Sequence, residues 1–242
     1  QKVFQHGLLA CVEDREDVRW PKSRDGGASW VVLFVIFWLC NFHDNIQAGA
    51  ISRDEESVDK LGDPNSLFEK IRVIKKHLPD WMSRVTVDKK CNFQWKNGNT
   101  LNGEANVASA EVGGRLTILL IDEFGQFDKN GEMIFNFTRD VCKCRVFVFT
   151  HKDQTGMAYR LCYDPKYTDT MREIMTHWSQ HPGKNKGLYR VSETTGEPII
   201  LDKRFRYPKD FKFVREYRPV GGPCPGIRSP WYDKECIRRE DR

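Results

Sequence analysis

Residues 116–124 (LTILLIDEF) form an apolar run whose last positions turn acidic, and they narrow the choice of folds more than any other part of the chain. A strand that is apolar at every position has no solvent face. It belongs in the middle of a sheet covered on both sides, the usual setting of a parallel strand. A second run of this kind, 145–150 (RVFVFT), follows a helix candidate at 131–141. Buried strands alternating with helices predict the α/β class, with an open and mostly parallel sheet flanked by helices.

The other segments fit that frame. Residues 4–18 are amphipathic and lead into the glycine-centred loop PKSRDGGASW, after which comes the apolar stretch 30–42 (WVVLFVIFWLCNF). That stretch falls short of the roughly 20 residues that span a membrane, so it reads as a buried core element and no membrane partner is expected. Gln47–Ser52 is a strand candidate, 54–77 a helix candidate ending at Leu78-Pro79, and 85–104 alternates around a turn at 96–99, a hairpin signal. From Asp164 the composition becomes polar and rich in Lys, Tyr and Pro, and the end of the chain holds GGPCPG and the charged run DKECIRREDR. The expected organisation is a core over 1–163, a small lid-like subdomain over 164–218, and a linker over 219–242.

Two segments carry chemistry. Against the phosphate-loop pattern GxxxxGK[ST], residues 22–29 (KSRDGGAS) keep the second glycine, Gly27, and the hydroxyl, Ser29. The usual lysine is missing: Ala28 stands in its place, and Lys22 occupies the position of the first glycine. A glycine loop opening onto an apolar helix presents free N–H groups and the positive end of the helix dipole to an anion. The second segment is Asp122-Glu123 at the end of the LTILLI run. An Asp there can hold Mg²⁺ together with Ser29, and an adjacent Glu can orient and deprotonate a water. Alone, a DE pair would read as a strand end with two solvated acids. Downstream of a phosphate-loop-like turn it points to nucleotide chemistry.

These motifs, in their order, resemble the large terminase subunits of tailed phages. The resemblance runs through KSRDGGAS before a Trp-rich helix, ISRDEESVDKLGDPNSLFEKI, GGRLTILLIDEFG, RVFVFT, MAYRL, HWSQHPGKNKGLY and RSPWYDKECIRR, nearly the whole chain. A lysine at the start of the loop is found in some terminases. The resemblance implies a P-loop NTPase core of the ASCE/RecA-like kind that hydrolyses ATP with Mg²⁺ to move double-stranded DNA into a preformed capsid. It implies that Lys22, Ser23, Arg24, Asp25, Gly26, Gly27, Ala28 and Ser29 cradle the phosphates, with Arg24 sensing the γ-phosphate in cis. Ser29 and Asp122 would hold the metal, and Glu123 would activate water. Gln5 would contact adenine, and Thr150 would couple nucleotide state to the rest of the domain. Implied partners are a portal protein, a small terminase subunit and further copies of the chain in a ring, in the host cell cytoplasm. The segment RSPWYDKECIRR resembles the joint to a nuclease half, which is expected to lie outside this chain.

The chain departs from the family in two places. Where many terminases carry an arginine offered to a neighbouring subunit, this sequence has Val112, with Arg115 nearest. The segment usually written Ser-Thr-Pro-Asn-Gly reads Phe149-Thr150-His151-Lys152-Asp153. Two rival readings remain: a helicase-like ATPase, and a catalytically silent DNA-binding or assembly module.

Other candidates are weaker. Eight cysteines without a CxxC pair are expected as reduced, mostly buried thiols. His177 and His181 have a metal-compatible spacing, but Pro182 follows and no third ligand is evident. The basic residues at 184–186 and 203–206, interleaved with Tyr189, Phe205 and Tyr207, read as a solvated face or a DNA-backbone surface. The charge balance, 39 basic against 34 acidic residues, permits a nucleic-acid partner without demanding one.

Overall fold

The computed structural model describes residues 2–105, 115–127, 130–151, 155–218 and 225–240. They fall into two compact units, one of Gln1–Lys22 with Gly27–Met175 and one of Ser23–Gly26 with Thr176–Arg242.

The first unit is an α/β sandwich around an eight-stranded sheet. In chain order its elements are α1 (Lys2–Asp14), β1 (Val18–Pro21), α2 (Ala28–Phe42), β2 (Gln47–Ser52), α3 (Glu55–Val58), α4 (Leu67–Lys76), β3 (Val85–Lys89), β4 (Asn92–Trp95), β5 (Thr100–Ala105), β6 (Ile118–Ile121), α5 (Gly131–Phe137), β7 (Arg145–Phe149), α6 (Met157–Tyr163), α7 (Pro165–Thr168) and β8 (Arg172–Glu173). The strand order is β3-β4-β5-β2-β6-β7-β1-β8. Neighbours from β5 through β8 run parallel, and β3 and β4 form an antiparallel edge.

Every residue of β6 and of β7 is buried, and their alternation explains why both runs read as wholly apolar. Ile118, Leu120, Val146 and Val148 face one core cluster with α1, α2 and α4. Leu119, Ile121, Phe147 and Phe149 face a second cluster containing Phe124, Phe135 and Leu161. With a side-chain period of two and cover on both faces, the strand positions after Arg145 are all apolar, and Arg145 itself, at the start of β7, is buried against Asp17.

The helix expected over 54–77 is instead two helices, α3 and α4, separated by turns. Gly62 sits at φ 80, and Pro64 bars helical geometry at Asp63. Asp59 leaves the helical path to accept from both Arg72 Nη atoms (2.6 and 3.1 Å) and from the Cys91 N–H (2.8 Å). The hairpin expected around 96–99 is present, with Gly98 at φ 82. A further tight turn at Cys91 (φ 55) adds β3, giving a meander where one hairpin was expected.

Close packing between β5 and the helices makes one glycine critical. A Cβ at Gly103 would lie 2.4 Å from Phe68 Cε2 and 2.6 Å from Val58 Cγ1, and both partners are fully buried. Gly103→Ala should destabilise the fold by about 1–3 kcal/mol through overpacking. Thermal unfolding should then shift down by roughly 2–4 °C per kcal/mol. An unchanged Tm would contradict this packing.

The second unit contains a three-stranded antiparallel sheet, β10-β9-β11, of β9 (Tyr189–Val191), β10 (Pro198–Ile200) and β11 (Ile227–Arg228), and the helix α8 (Pro230–Glu240). Tyr189 is its buried centre: its hydroxyl donates to Asp233 Oδ2 (2.6 Å), and Arg228 Nε donates to Asp233 Oδ1 (2.7 Å). Phe211 and Phe213 pack edge-on against the Tyr189 ring. Among the described residues no helix is long and apolar enough to cross a membrane.

Candidate nucleotide-binding site

The site in the first unit lies at the carboxyl ends of β2 and β6, where ligands of open α/β sheets commonly bind. Asp122 follows β6 directly, is 6% exposed, and donates its backbone N–H to Ile51 O (2.9 Å). Ser29 stands in the first turn of α2, whose N-cap Gly27 adopts φ 71, a left-handed conformation that glycine takes without steric cost. This turn aims the Ser29 hydroxyl between both Asp122 oxygens, at 2.9 and 2.8 Å. Two segments 93 residues apart in sequence thus form one oxygen-rich corner.

Glu123 takes φ 54 and ψ 33, a left-handed conformation rare outside glycine and asparagine. Strain of this kind collects at functional positions. Its Oε2 is buried and lacks a hydrogen bond, but it pairs with Arg53 Nε at 3.3 Å. Arg53, just past β2, also donates to Asp54 Oδ2 (3.0 Å) and Gln126 Oε1 (3.0 Å). Gly125 is required here, because a Cβ would come within 2.5 Å of Thr150 O. The segment after Glu123 is therefore packed directly on Thr150, at the end of β7.

A cavity of about 690 Å³ opens beside these residues, with Arg53, Asp54, Asp63, Ser66, Asp122 and Glu123 on its wall. The lining is dominated by acids, so an anionic ligand would enter only with cations to balance them. Lys70 of α4 is 7% exposed and donates to the Asn65 and Ser66 carbonyls. Burial pushes its ammonium below the usual lysine range, while the Asp122, Asp63 and Glu123 carboxylates act against that shift.

Of the remaining loop residues, Lys22 is half-buried and donates its N–H to Phe149 O (2.8 Å) as it leaves β1. Ala28 is packed into the core at 1% exposure. The position that carries lysine in the usual pattern is filled here by a core methyl group. Gln5 lies half-buried on α1, and Arg115 is exposed. Val112, Lys152 and Asp153 lie outside the described residues.

In the second unit, Ser23–Gly26 is shaped by its own contacts. Ser23 N–H donates to Thr176 O (2.9 Å), Gly26 N–H donates to Ser23 O (3.2 Å), and Asp25 adopts φ 61. Arg24 and Asp25 are exposed. Lys184 was expected on a solvated or DNA-facing surface, yet it is 6% exposed and bonded to this loop. Phe205 and Tyr207 pack against each other, and Tyr207 packs against Phe211. Lys186, Lys203, Arg204 and Arg206 are exposed. His177 accepts from Ser179 N–H and caps the turn Trp178–Gln180, while His181 accepts from Gly183 N–H.

Ser29 and Asp122 offer hard oxygen donors of the kind Mg²⁺ prefers. Among the described residues no group of three or more His, Cys, Asp or Glu could hold a metal by itself. Mg²⁺ shared with phosphates needs no such cage, since it is usually held by one or two protein oxygens, phosphate oxygens and waters. The described cysteines are free, and three of the seven are buried. Burial pushes the Cys142 thiol up to about 12 and the Cys162 thiol up to about 11, so both stay protonated and unreactive near neutrality.

The fold is that of phage large terminase ATPase domains. The HK97 bacteriophage large terminase is similar over 72% of this chain and 38% of its own, with TM-score 0.54 and 12% identity. A large terminase from a thermophilic bacteriophage, in complex with ADP, is similar over 74% of this chain and 46% of its own, with TM-score 0.54 and 12% identity. A mutant of the Thermus phage P74-26 large terminase ATPase domain is similar over 74% of this chain and 83% of its own, with TM-score 0.52 and 12% identity. The chain thus spans less than half the length of the first two terminases. No protein-family model and no curated protein matches the sequence.

Proposed function

We propose that this chain is the ATP-hydrolysing motor domain of a viral DNA-packaging terminase, which moves double-stranded DNA into a procapsid. The observation that carries the reading is the Ser29 hydroxyl placed on both oxygens of Asp122. Terminase structures with ADP and with ATP-γ-S share this fold and support nucleotide as the ligand.

In this reading the loop from Lys22 to Ser29 cradles the phosphates with the Lys22 ammonium and with backbone N–H groups other than those of Lys22, Ser23 and Gly26, which are bonded to protein carbonyls. Arg24 senses the γ-phosphate, Gln5 contacts adenine, and Ser29 and Asp122 hold Mg²⁺. The metal, when bound, neutralises phosphate charge beside an otherwise acidic cavity. Glu123 takes the proton of the attacking water. A bond then forms from that oxygen to the γ-phosphorus as the bond to the bridging oxygen breaks, releasing ADP and phosphate. The Arg53 pair holds Glu123 until nucleotide arrives. Thr150, packed on Gly125, relays the state of Glu123 to β7. The partners are duplex DNA, a portal, a small terminase subunit and further copies in a ring, in the host cytoplasm.

The test is ATP turnover with and without Mg²⁺, and with duplex DNA added. The expected result is Mg²⁺-dependent turnover stimulated by duplex DNA without strand separation. In Ser29→Ala, the Mg²⁺ needed for half-maximal rate should rise about tenfold, the value of one lost metal ligand. Strand separation would favour a helicase-like ATPase, and absent turnover a silent assembly module.

A further inference from the structure

Lys184 is an unusual lysine for a polar segment: it is 6% exposed, and its ammonium is spent on three successive residues of the glycine loop. Nζ donates to Ser23 Oγ (3.0 Å) and to the Arg24 carbonyl, and it stands 3.6 Å from Asp25 Oδ2. The same ammonium lies 4.9 Å from the centre of the Trp231 ring. Its main chain is fixed from both sides. Lys184 N–H donates to His181 O (3.0 Å), and Lys184 O accepts from Ser229 Oγ (2.7 Å), a hydroxyl that is itself fully buried.

A buried ammonium is costly unless its charge is answered. Here the nearby carboxylate, Asp25, is 81% exposed and just beyond hydrogen-bond range, so the positive charge is only partly neutralised. The loop it grips holds Asp25 at φ 61, a left-handed position that an aspartate adopts at some cost. The position immediately before Ser29, which carries lysine in the usual pattern, is taken by the buried Ala28. An under-neutralised cation held against a phosphate-loop-like turn matches the charge requirement of phosphoryl groups.

We infer that Lys184 is the positioning residue of this loop. Its ammonium holds Ser23–Asp25 in one fixed shape and keeps a positive charge against that segment, available to the phosphate it would bind. The inference rests on the nucleotide reading above and deepens it, since it makes the phosphate cradle depend on a residue from the far end of the chain.

The experiment compares wild type, Lys184→Met and Lys184→Arg in ATP kinetics and in amide hydrogen exchange. Methionine keeps the packing on Trp231 while removing the charge and its hydrogen bonds. In Lys184→Met the KM for ATP should rise about tenfold or more, the value of one charge-assisted hydrogen bond, with kcat changed far less. Lys184→Arg should recover most of the loss. The Ser23 amide, bonded to Thr176 O, and the Gly26 amide, bonded to Ser23 O, should exchange about tenfold faster in Lys184→Met, with the β7 amides unaffected. A lowered Tm with unchanged KM would make Lys184 merely structural and overturn the charge role. Unaltered Ser23 and Gly26 exchange would overturn the inference whatever the nucleotide result. A wild-type chain that binds no nucleotide would overturn the nucleotide reading and the charge role, while the exchange rates still decide whether Lys184 holds the loop.

Discussion

Glu123→Gln is expected to reduce ATP turnover at least about a hundredfold, within the ~10²–10⁴ that a positioned general base supplies. The substitution keeps shape and burial but removes the proton acceptor, so nucleotide affinity should stay within a few-fold of wild type. The geometry supports this split. Among the described residues Glu123 makes no hydrogen bond to Ser29 or to the Asp122 side chain, and its Oε2 is held by Arg53. Loss of the base should therefore slow chemistry without loosening the metal corner. Steady-state turnover read beside nucleotide binding separates the two effects. A variant that keeps a third of the wild-type rate would remove Glu123 from the role of base.

The largest effect on stability is expected at Asp17→Ala. Arg145 opens β7 with a side chain only 4% exposed, donating to Asp17 through its backbone N–H (2.9 Å) and Nε (3.0 Å), and to Phe135 O through Nη1 (2.6 Å). Its guanidinium also lies against the Phe135 and Phe147 rings at 4.5 and 5.2 Å. Removing Asp17 leaves this buried cation without its carboxylate, which costs about 3–5 kcal/mol where burial is complete. Asp17 keeps 23% exposure, so water can partly replace it and about 3 kcal/mol is the expected loss. Denaturant unfolding measures it. Glu216→Ala, which breaks the exposed pair with Arg218, serves as control and should fall within about 0.5 kcal/mol of wild type. Equal effects would mean that the Arg145 pair is no more protected than a surface one.

How much of this was legible in the sequence follows from what kind of information each feature uses. The strands β6 and β7 were readable because burial on both faces leaves a local mark, an unbroken apolar run. The partnership of Ser29 and Asp122 was readable because phosphate loops and strand-end aspartates have fixed local patterns, even with Ala28 in place of lysine. The break between α3 and α4 is not legible despite Gly62 and Pro64, because the apolar spacing continues across it. What decides the break is tertiary: Asp59 is drawn away by Arg72 and Cys91. The contacts of Arg53 and Lys184 leave no local mark for a similar reason, and Lys184 reads only as part of a basic surface. Arg53 meets Glu123 only when β2 and β6 lie side by side. Lys184 meets Ser23 across 161 residues of sequence. The left-handed turn at Glu123 leaves no compositional trace, since a glutamate there looks like any other strand-end acid.

The central claim, that Ser29 and Asp122 form the metal corner of a nucleotide site, is tested most directly by calorimetric titration of the whole chain with ATP-γ-S. One nucleotide should bind per chain in the presence of Mg²⁺, with affinity at least about tenfold weaker in Ser29→Ala or with the metal chelated, a difference of roughly 1.4 kcal/mol. No binding by the wild type, or binding that ignores both Mg²⁺ and Ser29, would contradict it.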